Sequence, residues 1–112
     1  MGYYAMTREA GTAWAEGAIA GQYAISEHHG FMSALAEEQF VLLAGPLAGT
    51  EQGRLRVLLV VRADSEAEIR QRLADDPWAI SGQLEITSIE PWNVFVGAER
   101  LVSAQPAAIT AA

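Results

Sequence analysis

Residues 54–62 (RLRVLLVVR) constrain this chain more than any other segment. Leu55, Val57, Leu59 and Val61 alternate along one side, while Arg54, Arg56, Leu58, Val60 and Arg62 share the other. A period of two is that of a β-strand. The second side is polar only at its ends, so both faces of the strand need apolar cover. Helices can supply one layer. The apolar centre of the other face, Leu58 and Val60, asks for a partner sheet. With 112 residues, the chain fits one domain and has no second sheet to offer. A homodimer, packed sheet to sheet, is the expected answer.

The neighbouring segments fill in the rest. Gly2 to Arg8 (GYYAMTR) reads as a first strand, and Glu9 to Gln22, rich in Gly and Ala, as a loop carrying Trp14. Ser26 stands where a helix N-cap is expected and Glu27 adds first-turn negative charge. Phe31, Met32, Leu35 and Ala36 then recur at helical spacing, which predicts a helix over about 26–39. Phe40 to Ala44 (FVLLA) is apolar without alternation and suits a strand buried on both faces, ended by Gly45-Pro46. Ser65 to Glu68 is a capping box opening a second helix, with Ile69 and Leu73 as its apolar stripe, stopped at Asp75-Asp76-Pro77. Gln83 to Val96 reads as a last strand interrupted at Pro91. The resulting order β-α-β-β-α-β is the ferredoxin-like, split α+β arrangement with an antiparallel sheet. We expect a domain over residues 1–97 and a C-terminal tail over 98–112, Ala-rich with one proline.

Composition prunes the chemistry. No cysteine is present, which removes thiolate nucleophiles and Cys-ligated metal sites, and no lysine, which removes Schiff-base chemistry and the P-loop lysine. GxSxG and GxGxxG are both absent. The net charge is −7, and the seven arginines, Arg8 among them, are scattered and mostly flanked by acids. A nucleic-acid partner would need clustered positive charge, so none is expected. The longest apolar runs are too short to span a bilayer, and no hydrophobic signal segment opens the chain, so no membrane is expected and the cytoplasm is the default location. What remains is acid–base work by His, Asp, Glu or Tyr, or no catalysis at all.

His28 lies three, four and seven residues before Phe31, Met32 and Leu35, on the helix face turned to the sheet. By spacing alone it is as readily an inert core-edge histidine as a functional one. His29 projects roughly 100° away and is expected in solvent; the diverging pair makes a poor metal site, and no metal is expected. Asp76 could be a mere helix-stop residue. Yet a carboxylate at the negative end of a helix dipole adds nothing to that helix, which favours a specific partner. Antiparallel helices on one sheet face would bring it near His28, where it would raise the imidazole's pKa and fix its tautomer. Gly45 and Pro46 are either a plain turn or a place where ligand approaches the backbone. Trp14, Trp78 and Trp92 are simplest as core or interface anchors, though Trp78 could also wall a pocket for a flat ligand.

Four motifs in order, H-x-x-F-M (His28 to Met32), L-A-G-P-L (Leu43 to Leu47), L-x-x-D-P-W (Leu73 to Trp78) and I-x-P-W (Ile89 to Trp92), resemble the YCII-related family. The likeness runs from about Trp14 to Val96. It implies a dimeric α+β barrel, in which two sheets meet face to face, and a His–Asp pair as the proposed active site, at His28 and Asp76. One departure is Gln39, where the family usually has a glycine just before the second strand.

Two functions are therefore expected to compete. One is a cofactor-independent lyase or isomerase for a small aromatic or lactone-like metabolite. In it His28 moves the proton, Asp76 orients it, and Gly45, Pro46, Trp78, Tyr23 and Trp14 shape the small-molecule pocket. The other is a non-catalytic ligand-binding or dimerisation module, in which the pair is structural. A metal enzyme would need a further carboxylate converging on His28.

Overall fold

The computed structural model describes residues 2–48 and 54–103. Its elements run β1 (Gly2–Ala10), a 3-10 turn (Ile19–Gly21), α1 (Ile25–Glu37), β2 (Val41–Pro46), β3 (Arg56–Ala63), α2 (Glu66–Leu73), α3 (Pro77–Ile80), β4 (Leu84–Pro91) and α4 (Ala98–Ser103). Every strand pairing is antiparallel and the sheet order is β2-β3-β1-β4, the ferredoxin-like α+β fold. No helix is long and apolar enough to cross a membrane among the described residues.

The helices cover one sheet face. Inward side chains from β1 and β3 (Met6, Leu59, Val61, Ala63) meet Leu35 of α1 and Ile69 and Leu73 of α2 in the main core. A second cluster at the other end joins Ala10, Leu55, Trp78 and Leu84. The two-residue period of β3 therefore predicts its faces correctly. On its outer side Val60 is 6% exposed and Leu58 40%.

Several boundaries differ from expectation, each for a local reason. The N-cap of α1 is Ala24, in a left-handed conformation, and not Ser26. Entry into the helix is set by tertiary bonds: the Tyr23 carbonyl accepts from Trp78 Nε1 at 2.6 Å and Gln83 Nε2 at 3.0 Å. α1 ends in a Schellman motif. Phe40 N–H reaches the Leu35 carbonyl and Gln39 N–H that of Ala36, both at 3.0 Å, with Gln39 left-handed at φ 66°. β2 is not buried on both faces: it is an edge strand, and Leu43 is 61% exposed. Its unbroken apolar run reflects a side that none of the described residues covers.

In α2 the capping box forms in modified shape. Ser65 Oγ accepts from Glu68 N–H, while the Glu68 carboxylate reaches Asp64 N–H instead of the cap's own amide. The helix ends at Leu73, before the Asp75-Asp76-Pro77 stop.

β4 stops at Pro91, which has no N–H to extend the ladder. Trp92 N–H still reaches the Tyr3 carbonyl, but Phe95 and Val96 leave the sheet and are exposed. The register of β4 on β1 slips by one residue, so Ile89 pairs with Met6 but Ile86, three residues away, pairs with Arg8. Thr87 occupies the extra place, and Thr7 Oγ1 hydrogen-bonds both Thr87 Oγ1 (2.8 Å) and Ser88 Oγ (2.6 Å). The tail expected from residue 98 begins with the helix α4; residues 104–112 lie outside the described residues.

The loop after β1 is tied down despite its small residues. Buried Gln22 accepts from Ala15 N–H at 2.9 Å and donates to the Ala15 carbonyl at 2.7 Å. Gly11 sits so close to the α3–β4 turn that a Cβ there would lie 2.2 Å from the Gly82 carbonyl oxygen.

Candidate active site

His28 occupies the first turn of α1, its N–H bonded to the Ala24 carbonyl. Its Nδ1 lies 2.8 Å from Asp76 Oδ1 and 3.0 Å from Oδ2. An ionised carboxylate only accepts, so Nδ1–H is the donor and the tautomer is fixed with Nε2 unprotonated in the neutral ring. Among the described residues Nε2 has no hydrogen-bond partner. The His28 side chain is 15% exposed, and that of Asp76 is fully buried.

Asp76 arrives by a different route from the one its sequence position suggests. Instead of closing α2, it is the N-cap of α3: its Oδ1 accepts from Trp78 N–H at 2.9 Å, with Pro77 at the first helical position. Contact with α1 is made through α3. A carboxylate at a helix start is favoured by the free amides there, so the position is both capping and presenting. Burial alone would push the Asp76 carboxyl up. The hydrogen bond from His28, the charge of Arg8 and the Trp78 amide outweigh it and hold the group below its ordinary value.

Arg8 is the residue that sequence reading missed. It projects inward from β1, 1% exposed, with Nη2 2.8 Å from Asp76 Oδ2. Burial pulls its pKa down, and Asp76 offsets part of that. A signal existed: Tyr4, Met6, Arg8 and Ala10 share one face of a period-two strand, and a lone arginine in such a stripe requires a buried counter-charge. The three side chains thus form a line, Arg8–Asp76–His28, drawn from β1, α3 and α1.

A cavity of about 300 Å³ opens beside this line, with Arg8, His28, His29, Gly45, Pro46 and Trp78 in its wall. Trp78 stacks on His28, ring centroids 3.9 Å apart and planes 8° from parallel, and is buried behind it. Gly45 contributes backbone. Its register partner is Leu58, so a side chain there would leave on the face away from the helices, where a Cβ meets none of the described residues within 4 Å. Two expected pocket residues do not line the cavity. Tyr23 is 77% exposed and serves through its carbonyl, and Trp14 packs edge-on to Trp78 at 5.4 Å. Exposed His29 sits at the rim. Among the described residues no three His, Asp or Glu side chains converge as metal ligands would.

The sequence profile of the YCII-related domain matches residues 4–93. The chain belongs to the YCII-related family. No curated protein matches it in sequence. Among solved structures, it is similar to 5-chloro-2-hydroxyhydroquinone dehydrochlorinase (TftG) from Burkholderia phenoliruptrix AC1100, in complex with 2,5-dihydroxybenzoquinone. That likeness has a TM-score of 0.57 at 19% identity and covers 83% of this chain and 95% of the other. At this identity the likeness establishes a shared fold for this YCII-related chain.

Proposed function

We propose that the chain is a cofactor-independent acid–base enzyme, a lyase or isomerase for a small aromatic or lactone-like compound, working as a homodimer. The observation that carries this reading is the His28–Asp76 hydrogen bond, which commits Nδ1 and leaves Nε2 to act as the base in a side chain that lines the cavity. Nε2 takes a proton from a carbon or hydroxyl next to a carbonyl. The freed electron pair enters a new π bond. It then either expels a leaving anion, which makes a lyase, or is reprotonated elsewhere by the imidazolium, which makes an isomerase. Asp76 holds the ring in place, and Arg8 helps keep Asp76 ionised. The similar fold of a dehydrochlorinase solved in complex with 2,5-dihydroxybenzoquinone supports this class. The dimer reading draws on the outer sheet face, where Leu43 and Leu58 remain exposed.

The rival reading, a binding or dimerisation module, draws on the capping of α3 by Asp76. A panel of ring ketones, lactones and halogenated hydroquinones, incubated in D2O and followed by NMR, separates the two. Protein-dependent exchange or elimination that disappears in His28→Gln supports the enzyme. Turnover that survives His28→Gln overturns it.

A further inference from the structure

The wall of the cavity is chemically one-sided. Its titratable side chains are Arg8, His28 and His29, and no Asp or Glu among the described residues joins them. The remainder is apolar, including Ile19, Ile25, Met32 and Leu59. Asp76, the nearest acid, is spent: its oxygens are engaged by His28 Nδ1, Trp78 N–H and one corner of Arg8.

Arg8 is not fully engaged in return. Nη2 is committed to its 2.8 Å ion pair with Asp76 Oδ2. Among the described residues Nη1 has a 3.9 Å contact to Met32 Sδ and Nε has no hydrogen-bond acceptor. A buried cation with donors left over after its ion pair is an unfilled demand for a further oxyanion.

We propose that this cavity takes a small organic anion, with an apolar body of about one ring and a delocalised oxyanion that meets the Arg8 guanidinium. The size follows from the 300 Å³ volume, at the small end of ligand pockets of about 300–1,000 Å³. The inference rests on the reading of this cavity as the ligand site and adds the charge its ligand must carry. Neutral rings would leave the remaining Arg8 donors unpaired, and cations would meet the guanidinium head on.

Three probes of one shape and different charge test it: benzoate, benzamide and benzamidinium. Binding is read from the shift of the His28 imidazole protons. That readout keeps this cavity apart from a second one that Arg8 borders between β4 and α2. Benzoate is expected to bind at least tenfold tighter than benzamide, and benzamidinium not to shift His28. Arg8→Met, checked for folding by its thermal transition, should lose that preference while Arg8→Lys keeps part of it. Should Arg8→Met not fold, the wild-type probe order and Arg8→Lys decide alone. Equal or weaker binding of benzoate than of benzamide, no shift of His28 up to the solubility of benzoate, or an unchanged preference in Arg8→Met overturns the proposal. Because binding is measured without turnover, charge selection in a protein that catalyses nothing would defeat the enzyme reading and leave this one standing. Turnover of a neutral ring without benzoate preference would do the reverse.

Discussion

The imidazole of His28 lies flat against the indole of Trp78, 3.9 Å between centroids. Contact at this distance couples the emission of the indole to the ring beside it. Trp78 is therefore a built-in reporter of the His28 side chain. In a Trp14→Phe, Trp92→Phe background, His28→Gln should raise tryptophan fluorescence at fixed pH, because the stacked imidazole quenches it. Emission unchanged in that variant means the indole senses something else.

Acid stability should depend on Asp76. Its folded carboxyl is held below the ordinary value, so below that value the unfolded chain binds the extra proton and the folded one does not. The contribution is present in full above the unfolded carboxylate pKa of about 3.9 and is lost as pH falls through the folded value. Asp76→Asn should start lower at neutral pH, by about 3–5 kcal/mol as for any broken buried pair, and lose less from pH 5 to 2. Arg8→Met combined with Asp76→Asn should recover part of the neutral-pH loss. Urea midpoints across pH check both.

Gln39 should be a stabilising site. Its left-handed backbone costs a residue with a Cβ roughly 1–2 kcal/mol, a cost that glycine escapes. Its Oε1 is also buried without a partner among the described residues. Gln39→Gly is expected to raise stability by about 1 kcal/mol after the entropy of the more flexible unfolded chain is counted. A lower thermal midpoint would contradict this.

The outer sheet face should govern assembly. If Leu43 and Leu58 pack against a second copy, Leu58→Asp places a charge in that apolar contact. Sedimentation is then expected to show a dimer for the parent chain and a monomer for the variant, with far-UV circular dichroism unchanged. A parent chain that sediments as a monomer rejects the dimer.

The parts of the fold legible in the sequence were those that repeat locally. The alternation of 54–62, the Ser65–Glu68 cap and the spacing of His28 with Phe31 and Met32 are short-range patterns, and each names an element directly. Arg8 was not legible as a site residue because its meaning lies in Asp76, 68 positions away, and an ion pair between elements leaves no period. The Asp76-Pro77 step was legible only in part. Asp followed by Pro stops one helix, but it is also an N-cap followed by a first helical residue, and only the second sense explains where the carboxylate points. The edge position of β2 was hidden because an apolar run reads the same whether its cover comes from its own chain or another.

The slipped register between β1 and β4 carries a consequence for how this strand can change over evolutionary time. Ile86 and Ile89 are an odd number of residues apart, and they share a face because Thr87 sits in the extra place. Removing Thr87 would leave a plain alternation, Ile86 in, Ser88 out, Ile89 in, with Leu84 still in the cavity wall. Removing Glu85 instead would turn Leu84 outward. The slip is thus a reserve of one residue, and the strand should absorb a deletion there and at few other places.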